Sequence, residues 1–294
     1  MATLVSPTQI SPVEDAEALY KAFKGWGTDE KAVIAILGHR NNSQKQQIRK
    51  AYQQLFHEDL IKRLESEISG DFERAMYRWI LEPWDRDAVL ANVAINKNGT
   101  NMKTMIDYNV ILEIGCVHSP EELLALLVGL VSSYRYGGDE INAKLAQTEA
   151  DILHGAIKDK KGCYEEVIRI LTTRSKTQLI ATFNRYRDVH GSSITKKLLD
   201  DASDDFHKAL HTAIRCINDH KKYYEKVLRN AIKRVGTYEG ALTRVIVTRS
   251  EKDMKEIKEL YYKRNSEHLE DSIAKEVSGD YKKFLLTLLG KQDV

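Results

Sequence analysis

Gly25-Trp26-Gly27-Thr28 opens an amphipathic stretch, and a single carboxylate, Glu67, follows forty residues after Gly27. Near the other end, Arg234-Val235-Gly236-Thr237 opens a similar stretch, and Glu276 follows forty residues after Gly236. A tight backbone turn with one distant carboxylate, recurring in register, points to an oxygen-lined cation site built into a repeated unit. It points away from a single catalytic centre. The residues around the first turn have helical period. Leu19, Ala22 and Phe23 form the apolar face before it, and Val33, Ile34 and Leu37 the face after it. Ser11-Pro12-Val13-Glu14 reads as a capping box with proline at the first helical position. Thr28 reads as the cap of the next helix, with Asp29 and Glu30 at its positive end. Ile48, Tyr52 and Leu55 predict a third helix, Leu60, Leu64 and Ile68 a fourth, and Phe72, Ala75, Met76, Trp79 and Ile80 a fifth.

This five-helix scheme recurs. Gly38-His39-Arg40-Asn41, Cys116-Val117-His118-Ser119, Thr173-Arg174-Ser175 and Thr248-Arg249-Ser250 each close an apolar helix and precede a polar one. The spacings between them are uneven: 78 residues from Arg40 to His118, 56 from His118 to Arg174, and 75 from Arg174 to Arg249. The expected organisation is all-α, with repeats at 12–82, 83–136, 143–217 and 218–291, the second one truncated. The cut removes the fourth helix and the carboxylate of that repeat. It should leave apolar surface uncovered and lower thermal stability.

Composition narrows the function. The chain has 294 residues, with 45 basic and 43 acidic side chains and a net charge of +2. So balanced a chain has no general electrostatic reason to coat nucleic acid. Cys116, Cys163 and Cys216 form no C-x-x-C pair, which suits a reducing compartment and argues against zinc. The first residues lack the features of a secretion signal, and no apolar run is long enough to span a bilayer, so a cytoplasmic protein is expected. No phosphate loop or nucleophile–base pair is evident, and no enzymatic activity is expected.

Calcium takes six to eight oxygens, and backbone carbonyls serve as well as carboxylates. In the first turn, the carbonyls of Phe23, Gly25 and Gly27 can converge because glycine tolerates unusual dihedrals. Glu67 then closes the shell, and a lipid phosphate or water fills the remaining positions. So few formal charges predict weak binding. Trp26, between two turn glycines, is expected at the surface, where its ring can enter a headgroup layer.

The G-x-G-T loop with an acidic cap forty residues on resembles the annexin repeat, and its retention in the first and last repeats only resembles plant annexins. The resemblance spans nearly the whole chain. It implies four repeats of about five helices each in a curved disc, calcium as the bound ion, and an anionic phospholipid surface as the partner. It further implies a second ligand set, the carbonyls of Ile232, Arg234 and Gly236 with the Glu276 carboxylate. Arg234 stands where glycine is usual in animal annexins. Thr28 with Glu30, and Thr237 with Glu239, match the weaker accessory site of the family. The third repeat has Lys158-Asp159-Lys160-Lys161-Gly162 at the loop position with Asp201 at the cap, and the second has Asn98-Gly99-Thr100 without a cap. Both are expected to be silent. His39 matches a position linked with peroxidase-like activity, Cys116 and Cys216 a suggested redox pair, and Ile168-Arg169-Ile170 a suggested actin contact. Packing is the simpler expectation for each. The expected function is reversible, calcium-dependent attachment to anionic membranes. The alternatives are a calcium-independent helical scaffold, or weak peroxidase-like activity at His39. Oligomeric state is left open by the sequence.

Overall fold

A computed structural model describes residues 1–24, 27–95, 108–117, 138–158, 164–200, 205–233 and 236–291. Regular structure among these residues is entirely α-helical, and they divide into two compact units. The first comprises Met1–Arg86 with Lys221–Val294, and the second Asp87–His220.

The first unit holds α1 (Pro12–Ala22), α2 (Glu30–Leu37), α3 (Asn42–Phe56), α4 (Leu60–Glu67) and α5 (Gly70–Ile80). Short-range chemistry sets their ends. Ser11 Oγ accepts from the Glu14 amide, and Asn41 and Gln44 exchange side-chain and backbone bonds in a full capping box. The predicted faces of α1, α2, α4 and α5 are buried, among them Leu19, Val33, Leu37, Leu64, Met76 and Trp79 at 0 or 1% exposure. Leu55 departs from the expectation and is 42% exposed. Ile48, Tyr52 and Phe56 continue the i, i+4 row of α3, and Phe56 stacks on Tyr20 at 3.9 Å, so it takes the inward position instead.

After the long helix that ends at Ile232, the scheme repeats as α13 (Glu239–Arg249), α14 (Met254–Asn265), α15 (Leu269–Glu276) and α16 (Gly279–Leu288). α5 packs on α13, and α16 on α2 and α5, with Phe72 and Phe284 edge to face at 5.9 Å. Gly38 makes the approach of α16 to the end of α2 possible. A Cβ there would lie 2.9 Å from Thr287 Cγ2 and 2.6 Å from the Ile34 carbonyl oxygen. The first residues of the chain bind both sets of helices: Thr3 Oγ1 donates to the Leu288 carbonyl at 2.7 Å, and Gln44 Nε2 to the Pro7 carbonyl at 2.7 Å.

The second unit contains α7 (Tyr108–Val117), α8 (Ala143–Lys158), α9 (Tyr164–Thr173), α10 (Lys176–His190) and α11 (Ile194–Asp200). Two further helices are α6 (Pro83–Ile95) and α12 (Asp205–Ile232), the latter interrupted by non-helical backbone at Asp219. α8 packs along α10, and the buried Glu149 receives the Arg174 guanidinium at 2.7 Å. The shortening expected in the second repeat, and the apolar patch it would uncover, fall on 118–137, outside the described residues.

The residues that end α3, α10 and α14 all have left-handed backbone: His57 (φ 57°), Gly191 (φ 71°) and Ser266 (φ 56°). A side chain in this region costs about 1 kcal/mol relative to glycine. His57→Gly and Ser266→Gly are each expected to stabilise the protein by about 0.5 kcal/mol, after allowing for the greater freedom of glycine in the unfolded chain. Urea midpoints read this directly, and a lower midpoint in both variants would contradict it.

Candidate metal centre

Both glycine turns and both caps lie in the first unit. Gly27 (φ 92°) and Gly236 (φ 78°) have positive φ, where any other residue would strain the turn. Each loop is closed by the same backbone bond: the Asp29 amide donates to the Ala22 carbonyl at 2.9 Å, and the Tyr238 amide to the Ala231 carbonyl at 3.0 Å. Each is also tied to its distant carboxylate. Thr28 Oγ1 donates to Glu67 Oε2 at 2.9 Å, and Thr237 Oγ1 to Glu276 Oε2 at 3.2 Å.

These bonds revise the role of the threonine. Asp29 is the N-cap of α2, with its carboxylate accepting from the Ala32 amide at 3.1 Å, and Tyr238 occupies the same position before α13 but does not cap that helix through its side chain. The Asp29 carboxylate takes the free amide of the first turn, so the Thr28 hydroxyl is left for Glu67.

Glu67 and Glu276 are the last residues of α4 and α15. A carboxylate there sits at the negative end of a helix dipole, among carbonyls without helical partners, and is disfavoured unless a cation accompanies it. Glu276 is exposed, whereas Glu67 is half-buried and paired with Arg63, Nη2 to Oε1 at 3.0 Å. Arg63 Nη2 also donates to the Phe23 carbonyl at 3.0 Å. This contact escaped the sequence reading, although a basic residue one turn before the cap was visible.

Phe23 and Ile232 are buried and end their helices beside the turns, and Glu30 and Glu239 stand in the first turns of α2 and α13. Gly25, Trp26 and Arg234 lie outside the described residues. The two caps border one cleft of about 440 Å³, lined in matched pairs by Glu30 and Glu239, Glu67 and Glu276, and Asp71 and Asp280. Arg74 pairs with Asp71 and Lys283 with Asp280, which moderates the negative field. The Tyr281 phenol at the cleft is pushed above its ordinary pKa by burial, and stays a neutral donor to the Glu239 carbonyl at 3.1 Å.

Among the described residues, no three His, Cys, Asp or Glu side chains converge on one point. One anchored carboxylate beside a glycine turn suits a hard cation that takes carbonyl oxygens, and does not suit zinc. His39 has a structural contact, its Nδ1 donating to the Val5 carbonyl at 3.1 Å. Cys116 and Cys216 are buried in apolar helices. Of the Ile168–Ile170 motif, Ile170 is buried and Arg169 is paired with Glu166. No helix among the described residues is long and apolar enough to cross a membrane.

The annexin family model matches three stretches of the chain, residues 14–79, 148–213 and 223–288. The chain is 63% identical to the annexin-like protein RJ4 of Fragaria ananassa, covering all of both; the 320 aligned positions exceed the 294 residues of this chain. Among solved structures it resembles chicken annexin V, with a TM-score of 0.85, 31% identity and 99% of each chain covered. It also resembles a calcium-bound annexin (Sm)1, with a TM-score of 0.79, 25% identity, and 99% and 93% covered. Paired loop-and-cap units, an all-helical repeat fold and these likenesses lead to one conclusion: the chain belongs to the annexin family and is of the plant type.

Proposed function

We propose that this annexin attaches reversibly to anionic phospholipid through calcium held in the loops of its first and last repeats. Calcium-dependent phospholipid binding is the general property of annexins, and calcium is the ion they take. In the first repeat, the ligands are the carbonyls of Phe23, Gly25 and Gly27 with the Glu67 carboxylate; in the last, those of Ile232, Arg234 and Gly236 with Glu276. Thr28 with Glu30, and Thr237 with Glu239, provide the accessory positions, and Trp26 enters the headgroup layer. The repeats run 12–82, 83–136, 143–217 and 218–291, and the protein works from the cytoplasm without catalysis.

The observation that supports this reading best is the matched pairing of each loop threonine with its distant carboxylate, Thr28 with Glu67 and Thr237 with Glu276. It holds the one formally charged ligand of each loop against the glycine turn before metal arrives, so little ordering remains to oppose binding. Bound calcium supplies the positive charge that draws lipid phosphate to a nearly neutral protein. Two weak sites in one compact unit then act together, because engagement of one raises the effective concentration of the second.

Cosedimentation with phosphatidylserine vesicles tests the proposal. Wild type should pellet with calcium and be released by chelator. Glu67→Gln/Glu276→Gln should require at least about tenfold more calcium, since each substitution removes the charged ligand. Equal pelleting of the double variant would remove both loops from the account, and unchanged binding in chelator would favour the calcium-independent scaffold.

A further inference from the structure

Arg63 spans the two groups on which the first calcium loop depends. Its Nη2 lies 3.0 Å from the Phe23 carbonyl oxygen and 3.0 Å from Glu67 Oε1. One is a backbone oxygen from the start of the turn, and the other belongs to the acidic cap. A single guanidinium nitrogen therefore satisfies the same two oxygens that a metal would draw together.

Among the described residues, the last repeat has no such cation on its cap. Its counterpart of Arg63 is Ser272, at the same place four residues before the cap, and Ser272 Oγ donates to Glu267 at 2.9 Å. Glu276 receives the Thr237 hydroxyl and has no ion-pair partner among the described residues. The two loops share their threonine and their cap, but among the described residues only the first has a positive side chain paired with the cap.

Helix geometry gives no separate reason for the Arg63 contact. An arginine preceding a glutamate by four residues has the less favourable order with respect to the helix dipole. What holds it is the joint demand of two electron-rich groups, a carboxylate at the negative end of α4 and a carbonyl beyond the end of α1. Arg63 is 32% exposed in its side chain, so it can swing into solvent when a divalent ion arrives. Its Nε is buried without a hydrogen-bond partner among the described residues, so the docked guanidinium is incompletely satisfied.

We propose that Arg63 is a built-in competitor for calcium: it holds the Phe23 carbonyl and Glu67 together in the metal-free protein and must be displaced when the first loop binds calcium. It sets a calcium threshold for that loop that the last loop does not share. This rests on the assignment of Phe23 and Glu67 as ligands in the proposed function.

The experiment reads one loop by placing Glu276→Gln in every protein. Calcium uptake is measured by titration calorimetry without lipid, and melting temperature is measured in chelator and in excess calcium. Arg63→Ser, the residue found in the last repeat, is expected to bind calcium roughly tenfold more tightly, the size of effect expected when a charged hydrogen bond and a part-exposed ion pair no longer compete. In chelator it should melt slightly below its parent, and calcium should raise its melting temperature more than that of the parent. Arg63→Gln, which keeps most of the side-chain length without the charge, should behave in the same way. If both variants bind calcium as the parent does, while Glu67→Gln abolishes uptake, the competitor role is wrong and the ligand assignment stands. If Glu67→Gln leaves uptake unchanged, the ligand assignment fails, and the competitor role fails with it.

Discussion

Truncation of Trp79 to alanine is expected to leave the first unit largely unfolded at ordinary temperature. Trp79 is the largest side chain in the core with no exposure, and three elements depend on it. It stands on α5, its Nε1–H donates to the Leu37 carbonyl at the end of α2 at 2.7 Å, and Lys45 Nζ of α3 lies 3.3 Å from its ring centroid. Leu37 is the last residue of α2, and apart from a long bond from the Arg40 amide at 3.4 Å its carbonyl relies on this donor.

Removing so large a buried aromatic costs about 3–5 kcal/mol, and a buried carbonyl left with one long bond adds about 1–3 kcal/mol. Together these approach the entire stability of a typical domain, about 5–15 kcal/mol. Helical circular dichroism on heating measures the effect, and Trp79→Phe separates its parts. Phenylalanine keeps most of the volume but no N–H, so its loss should be about 1–3 kcal/mol. A Trp79→Ala melt within a few degrees of wild type would mean that the core re-forms around the gap.

The sequence and the structure agree where burial is decided within one helix. The faces of α1, α2, α4 and α5 follow from the spacing of their apolar residues, and the two glycine turns and their caps are legible from recurrence alone. Disagreement begins where two distant segments compete for one position. Leu55 and Phe56 both extend the row begun by Ile48 and Tyr52, and only the stacking partner Tyr20, on another helix, decides between them. Thr28 and Asp29 are both good helix caps, and the choice between them is made by Glu67, forty residues away, which takes the threonine hydroxyl.

Arg63 is the plainest case. Its spacing from Glu67 is local, but its second contact, the Phe23 carbonyl, requires α4 to lie against the end of α1. Lys45 is similar. Counted from Arg40, Arg174 and Arg249, which close the preceding helices, it matches Leu179 in α10 and Met254 in α14, both fully buried, so the repeat pattern requires an apolar residue where this sequence has a charge.

Lys45→Met should therefore stabilise the protein near neutral pH, and remove part of the pH dependence of its stability. Lys45 has 0% exposure, and its Nζ donates to the Trp79 carbonyl at 2.7 Å and lies 3.7 Å from Glu251 Oε2. Burial drives its pKa down from the ordinary 10.5 to about 7, against the opposing pull of Glu251. Between those two values, the unfolded chain holds a proton on this amine that the native protein has given up. Unfolding is therefore favoured by acid across that window. The contribution of Lys45 to stability is largest above pH 10.5, falls as pH drops toward 7, and is flat below it.

A depression of this size corresponds to a cost on the order of 4 kcal/mol at neutral pH. Methionine avoids that cost. It also abandons the Trp79 carbonyl, near the end of α5, at about 1–3 kcal/mol. The difference favours methionine by about 1–3 kcal/mol, as replacement of buried ionic groups by apolar ones often does. Urea unfolding at pH 7 and pH 10 measures both effects. The variant should be the more stable at pH 7, and its advantage should shrink at pH 10, where the wild-type amine is neutral in the core at little cost. A less stable variant with a parallel pH profile would mean that the ammonium, held between the Trp79 ring and Glu251, contributes more than its burial removes.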